Sequence, residues 1–199
     1  MERTGTPPQV IFVNGASSAG KTSLIRAAQQ LTEVPYLHVG LDHCFAAVPQ
    51  PWGGGGQGPY QAEGFAYRES VNPADGLPRT EIGYGPAGAA MMAAYRRSLV
   101  TLLDNGCRLA IDELLLDAAI GADYALLLQQ FDVQYILMSA GADCLETRCV
   151  ARGYKPGFGR WSMSAGDNLP LPYDQRFDSE RQDSSGCAAA LVASWANRR

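Results

Sequence analysis

The stretch Gly15-Ala16-Ser17-Ser18-Ala19-Gly20-Lys21-Thr22 constrains this chain more than any other. It fills every position of G-x-x-x-x-G-K-[ST], a pattern that carries meaning only after a buried strand and at the opening of a helix. Before it, Gln9-Val10-Ile11-Phe12-Val13 is an uncharged run of β-branched and aromatic residues. After it, residues 23–31 place Leu24, Ala27, Ala28 and Leu31 on one helical face. Gly15 and Gly20 let the backbone turn tightly, so that the amides from Ala16 to Ser23 can approach phosphate oxygens at the positive end of a helix. Lys21 can reach β- and γ-phosphates, and the Thr22 hydroxyl is placed to ligate Mg²⁺. A glycine turn followed by an ordinary surface lysine would not need the rest of the motif. The spelling predicts a site for a nucleoside triphosphate with Mg²⁺.

The remaining chain bounds the partners. A length of 199 residues suits one domain. A hydrophobic share of 46% with 18% charged residues is that of a globular protein. The formal charge of −4 offers no footprint for a nucleic-acid backbone and none for an anionic membrane surface. No apolar run reaches the ~20 residues of a membrane span, and the first eight residues lack a signal-peptide core. The cytoplasm is the expected location. Five cysteines without C-x-x-C spacing suit packing in a reducing compartment better than a disulfide framework or a zinc site.

Strand and helix alternate along the chain. Residues 35–41 have strand composition and end at Asp42, followed by a short helix over 43–48. Ligands of open α/β sheets sit beyond the carboxyl ends of strands, so Asp42 should face the same crevice as the phosphate loop. It can take a proton from an acceptor, cap the helix that follows it, or do both. From residue 50 to 85 the pattern dissolves into glycines and turn signals, which predicts a flexible insertion whose aromatics either line an acceptor pocket or cover the core edge. A long helix over 87–105 leads to a strand, residues 107–113, ending in Asp112 and Glu113. Asp112 is the candidate acid near Mg²⁺, the competing account being a loop acid at a strand end. Helix 120–131, strand 132–138 and helix 143–152 follow. Arg148 and Arg152 share a helical face, and with Lys155 and Arg160 they form either a phosphate clamp or a solvated basic face. A lid over about 153–167, a short strand over 173–179 and a helix over 186–196, capped by Ser184 or Ser185, complete the chain. The expected architecture is α/β: a single three-layer αβα domain spanning 1–199, with a mainly parallel five-stranded sheet.

Together these marks resemble the chloramphenicol phosphotransferase-like family of P-loop, adenylate-kinase-like small-molecule kinases. Val13 to Thr22 is similar to its N-G-x-S-S-[AS]-G-K-[ST], Gly40-Leu41-Asp42 to its G-[VL]-D, and Arg108 to Glu113 to its apolar strand ending in paired acids. Arg148 to Lys155 resembles its R-x-x-x-R-G-[DN]-R, and Tyr173-Asp174 with Asp178-Ser179 its closing motifs near the adenine. Asn168 stands where the family carries a histidine, and Lys155 replaces an arginine fork. The resemblance implies an ATP-dependent O-phosphotransferase that modifies a hydroxyl of a small molecule, an antibiotic of chloramphenicol type. It implies Asp42, Lys21, Arg148 and Arg152 as catalytic residues. It implies Gly15, Ala16, Ser17, Ser18, Ala19, Gly20, Lys21, Thr22, Ser23, Arg148 and Asp178 around the nucleotide, and Thr22 with Asp112 around the metal. A nucleotide, nucleoside-sugar or shikimate-type kinase, or a nucleotide-binding module without turnover, are the alternatives. Only Arg68 and Arg79 lie between residues 50 and 85, which favours a neutral acceptor. Whether copies of the chain associate is left open.

Overall fold

The computed structural model describes residues 6–53, 58–166 and 171–198. Residues 54–57, within the glycine run, and Asn168 lie outside the described residues, as do the first five positions.

The organising strand is β1 (Val10–Gly15), buried along its whole length. Alternate side chains enter two different cores. Val10 and Phe12 pack with Leu99, Leu103, Tyr124 and Leu128. Ile11 and Val13 pack with Leu24, Ile25, Cys187 and Leu191. A strand buried on both faces reads as a continuous apolar run, as parallel strands of layered α/β folds do. Its partners are β5 (Arg108–Glu113) on one side and β6 (Val133–Ser139) on the other, with β2 (Tyr36–Gly40) and β7 (Gln175–Asp178) outside them. The order is β2-β5-β1-β6-β7, and every pairing is parallel. Helices α3 (Pro86–Asp104) and α4 (Ala118–Leu128) cover the first core. Helices α1 (Lys21–Gln30) and α7 (Ser184–Ser194) cover the second. The expected three layers are present.

Register sets the crevice. Gly40 pairs with Asp112 and Asn14 with Glu113, so β1, β2 and β5 end together and present Asp112, the phosphate loop and α2 (Leu41–Ala46) at one rim. Three local expectations are corrected. Asp42 is not a helix cap: α2 starts at Leu41 with Gly40 as its cap, and Asp42 lies in its first turn. The last helix is capped by Asp183, whose Oδ1 accepts from the Gly186 amide at 2.7 Å, in place of Ser184 or Ser185. Residues 65–84 are ordered as an antiparallel hairpin of β3 (Phe65–Val71) and β4 (Pro78–Tyr84), turned by Asn72 and Gly76. The turn signals lie between the strands and not through them.

Beyond β6, helix α5 (Ala142–Ala151) is followed by α6 (Phe158–Gly166), where the sequence predicted only a break and a lid. Glycine explains both the break and the packing. Gly157 has φ +85°, and a Cβ there would stand 2.1 Å from the Pro78 carbonyl, so α6 closes directly on the hairpin. Thr80 Oγ1 donates to the Pro156 carbonyl at 2.8 Å and Lys155 pairs with Glu69 at 3.2 Å across the same seam.

Candidate active site

The phosphate loop holds three unusual backbone conformations: Gly15 at φ +153°, Ser18 at φ +62° and Gly20 at φ +101°. Gly15 is required by a close approach as well, since a Cβ would meet the Met138 carbonyl at 2.1 Å. Helix α1 opens directly from the loop, the Leu24 amide donating to the Gly20 carbonyl at 2.9 Å. Its first amides therefore point into the crevice with the positive end of the helix behind them. Ser17, Ser18, Gly20, Lys21, Thr22 and Ser23 line a cleft of about 610 Å³, while Gly15, Ala16 and Ala19 are not among its lining residues.

Lys21, Thr22 and Asp112 meet at the floor. The Thr22 hydroxyl donates to Asp112 Oδ2 at 2.6 Å. Lys21 Nζ donates to the Ala16 carbonyl at 2.9 Å and lies 3.7 Å from Asp112 Oδ1. His38 Nε2 lies 3.4 Å from Asp112 Oδ2, a contact that the sequence did not suggest because the residues are 74 positions apart and meet only through the pairing of β2 with β5. Burial pushes the Asp112 carboxyl up, but Lys21, His38 and Thr22 outweigh it and hold it below the usual carboxylate range. The carboxylate is thus ionised beside a hydroxyl. One carboxylate and one alcohol, with room for waters and phosphate oxygens, is a donor set that fits Mg²⁺, which takes oxygen ligands and keeps much of its hydration.

The next residue does the opposite. Glu113 points to the other face of the sheet, where Tyr124 donates to its Oε1 at 2.5 Å. Burial pushes its carboxyl up to about 8, and nearby Asp112 adds to the rise. Period-two alternation separates the paired acids into an ionised acid at the crevice and a neutral one in the core.

Helix α5 supplies the cations. Arg148 donates to Ser179 Oγ at 2.8 Å, to the Ser179 carbonyl at 3.3 Å and to the Ser18 carbonyl at 3.5 Å, and so spans the loop after β7 and the phosphate loop. Arg152 Nη1 lies 3.4 Å from Ser18 Oγ, on the same side of the cleft. The other two cations of the sequence cluster go elsewhere. Lys155 faces the hairpin, and Arg160 pairs with Asp143 and Glu146 at 3.2 and 3.8 Å. Asp178 is not brought to the cleft: it accepts from the Glu180 amide at 2.9 Å and pairs with Arg181, while Ser179 beside it lines the wall.

Asp42 stands where this cleft meets a second one of about 370 Å³, between α2 and the hairpin. Phe45, Val48, Phe65, Tyr67 and Ile82 make the second cleft apolar, and Asp42 is its only charged lining residue among those described. Arg79 pairs with Glu81 at 3.0 Å and Arg68 lies across Gly83, so neither enters it. Of the aromatics expected either to line an acceptor pocket or to cover the core edge, Phe65 and Tyr67 line the second cleft, Trp52 and Tyr84 pack against the core, and Trp52 contacts Tyr60 outside both clefts. The pairing of β3 with β4 and the place of Tyr154 on the cleft wall were not expected from the sequence, whereas Ser179 lies within the Asp178-Ser179 pair expected near the adenine. The glycine at 153 was a signal for Tyr154, because a residue placed just after a helix-closing glycine has a fixed direction.

A family model described as chloramphenicol phosphotransferase-like protein matches residues 8–196. The chain belongs to that family. Two strains of Mycobacterium tuberculosis carry a protein named "Putative O-phosphotransferase" that is 32% identical over 113 residues, 54% of this chain. The match covers 46% of those relatives' own length. Among solved structures, one titled a "putative kinase" from Chloroflexus aurantiacus superposes with a TM-score of 0.60 at 18% identity, covering 98% of this chain and 99% of that one. Shikimate kinase from Acinetobacter baumannii gives 0.55 at 13% identity over 94% of this chain and 92% of its own. At such identities the likeness is one of fold, and the fold is that of P-loop kinases. Among the described residues, no helix is long and apolar enough to cross a membrane.

Proposed function

We propose that the chain is an ATP-dependent O-phosphotransferase whose acceptor is the hydroxyl of a small, neutral, largely apolar molecule, an antibiotic of the chloramphenicol type. The observation that carries this reading is the position of Asp42 at the meeting of two clefts, one walled by the phosphate loop and the other apolar. Family membership supports it. A phosphorylated or polyanionic acceptor would need cations in the second cleft, and Arg68 and Arg79 are turned away from it.

In this mechanism the loop amides and Lys21 hold the β- and γ-phosphates of ATP. Arg148 and Arg152 close on them from α5. Thr22 and Asp112 would hold Mg²⁺, whose charge offsets that of the phosphates. Asp42 orients the acceptor hydroxyl and accepts its proton, while the phosphoryl group moves through a loose transition state that needs positioning more than a strong base. The segment from 153 onward acts as a lid and the hairpin as the acceptor wall, within one domain.

Label from [γ-³²P]ATP is the test, with chloramphenicol, shikimate, gluconate and nucleosides offered as acceptors. Label on chloramphenicol or a similar neutral alcohol is expected. Label only on the carboxylated acceptors would overturn the neutral-acceptor assignment, and nucleotide binding without any transfer would make the protein a binding module.

A further inference from the structure

Tyr154 is placed by the way α5 ends. Gly153 adopts φ +85°, its amide donates to the Val150 carbonyl at 2.9 Å, and the Tyr154 amide donates to the Cys149 carbonyl at 3.1 Å. These two bonds close a helix in the Schellman manner and fix the direction of the residue that follows the glycine. That direction is toward the phosphate loop, since Cys149 Sγ itself lies 3.3 Å from Ser18 Oγ. The Tyr154 ring stacks on Phe158 with centroids 4.7 Å apart and planes 18° from parallel. Phe158 meets Tyr67 of the hairpin edge-on at 5.8 Å. Tyr154 lines the cleft together with Ser17, Ser18 and Asp42. Tyr67 and Asp42 line both clefts. One ring therefore faces the phosphate loop and Asp42 across the cleft and is stacked on the lid helix that meets the hairpin, near the place where the two clefts join.

Resting on the kinase reading above, we propose that Tyr154 is a positioning residue of the transfer: its ring seals the junction of the two clefts against water, and its hydroxyl turns the acceptor's alcohol toward Asp42. Burial raises its phenol above the ordinary value, so the group remains an O–H donor through the neutral range. A residue that merely closed a helix would need the ring and not the hydroxyl. Water is the competing acceptor at this junction, since it can take the γ-phosphoryl group of ATP and yield ADP and phosphate. Partition between water and alcohol is therefore the quantity that Tyr154 controls.

The test uses Tyr154→Phe and Tyr154→Ala, with folding checked by circular dichroism, and measures both labelled acceptor and ADP. In the Phe variant, kcat for transfer should fall about tenfold, the worth of one hydrogen bond, with the ATP KM within about twofold of wild type on the same reasoning. The ratio of hydrolysis to transfer should rise in both variants. It should rise further in the Ala variant, which should also show a higher acceptor KM. A Phe variant with wild-type kcat and an unchanged ratio overturns the proposal. If the wild-type protein labels no acceptor, the kinase reading fails separately. The sealing role is then read from ADP released without acceptor: a rise in the Ala variant supports it, and a wild-type rate overturns it.

Discussion

Glu113→Gln should change how stability depends on pH. The carboxyl is 3% exposed and accepts a hydrogen bond from Tyr124, and burial moves it from 4.5 to about 8. Below pH 4.5 the group is protonated in both folded and unfolded chains and contributes no slope. Between 4.5 and 8 the unfolded chain has released the proton and the folded one retains it, so the folded state binds more protons and stability falls as pH rises. The limiting slope for one proton is about 1.4 kcal/mol per pH unit. From pH 5 to pH 7.5 the wild-type protein should lose about 3 kcal/mol relative to the Gln variant, and above 8 the difference should level off. Glutamine keeps the oxygen that Tyr124 bonds and cannot ionise, so Asp112, His38 and every other titrating group cancel in the comparison. Urea unfolding of both proteins, without metal or nucleotide, at pH 5, 6, 7 and 7.5 measures it. A difference that stays constant within about 0.5 kcal/mol across that range would mean that Glu113 is ionised in the folded protein and the burial argument is wrong.

Lys21→Ala should abolish transfer while the protein stays folded, because the phosphates lose their cation; near-normal phosphotransfer with ATP would refute the assignment of the phosphate loop. Asp42→Asn should retain ATP binding, measured by isothermal calorimetry, and lose ~10²–10⁴-fold in kcat. Since Gly40 and not Asp42 caps α2, helix loss cannot account for such a drop, and a kcat within about threefold of wild type would remove Asp42 from the chemistry. Ile82→Asp puts a second carboxylate into the apolar cleft and should raise the acceptor KM at least tenfold, with the ATP KM little changed, a burial cost of about 1.5 kcal/mol or more; equal changes in both constants would place the acceptor elsewhere.

Most of the frame was legible because its signals are local. The phosphate loop, the five parallel strands and the long helix before β5 each carry their own periodicity or spelling. The hairpin was not legible, because β3 and β4 pair only with each other and bury little of their length. Their outer residues, such as Arg68, Glu69 and Glu81, are solvent-facing and polar. Helix α6 begins with Phe158-Gly159, and glycine in a first turn reads as a break until tertiary contact with β4 is known. Asp42 and Arg148, which line the cleft, were picked out by position beyond a strand end and by helical spacing. Asp178 was displaced by one residue, a slip at a strand terminus that exchanges a wall-lining Ser179 for a turn-capping acid. The His38–Asp112 contact is cross-strand and leaves no mark in either segment alone.

The glycine before Asp42 separates two kinds of intolerance to mutation. Gly40 has φ +156°, and a Cβ on it would stand 1.9 Å from the Asp112 carbonyl, inside the backbone of β5. A saturation scan scored by growth or by activity should therefore show two blank columns, at 40 and at 42 on either side of Leu41, that look alike and differ in origin. Variants at 42 should accumulate as folded, soluble, inactive protein. Variants at 40 should be missing from the soluble fraction, because two strands have been wedged apart. Read as a signature, Gly-Leu-Asp mixes mechanics and chemistry within three letters, and only a measure of abundance beside the measure of activity tells which letter belongs to which.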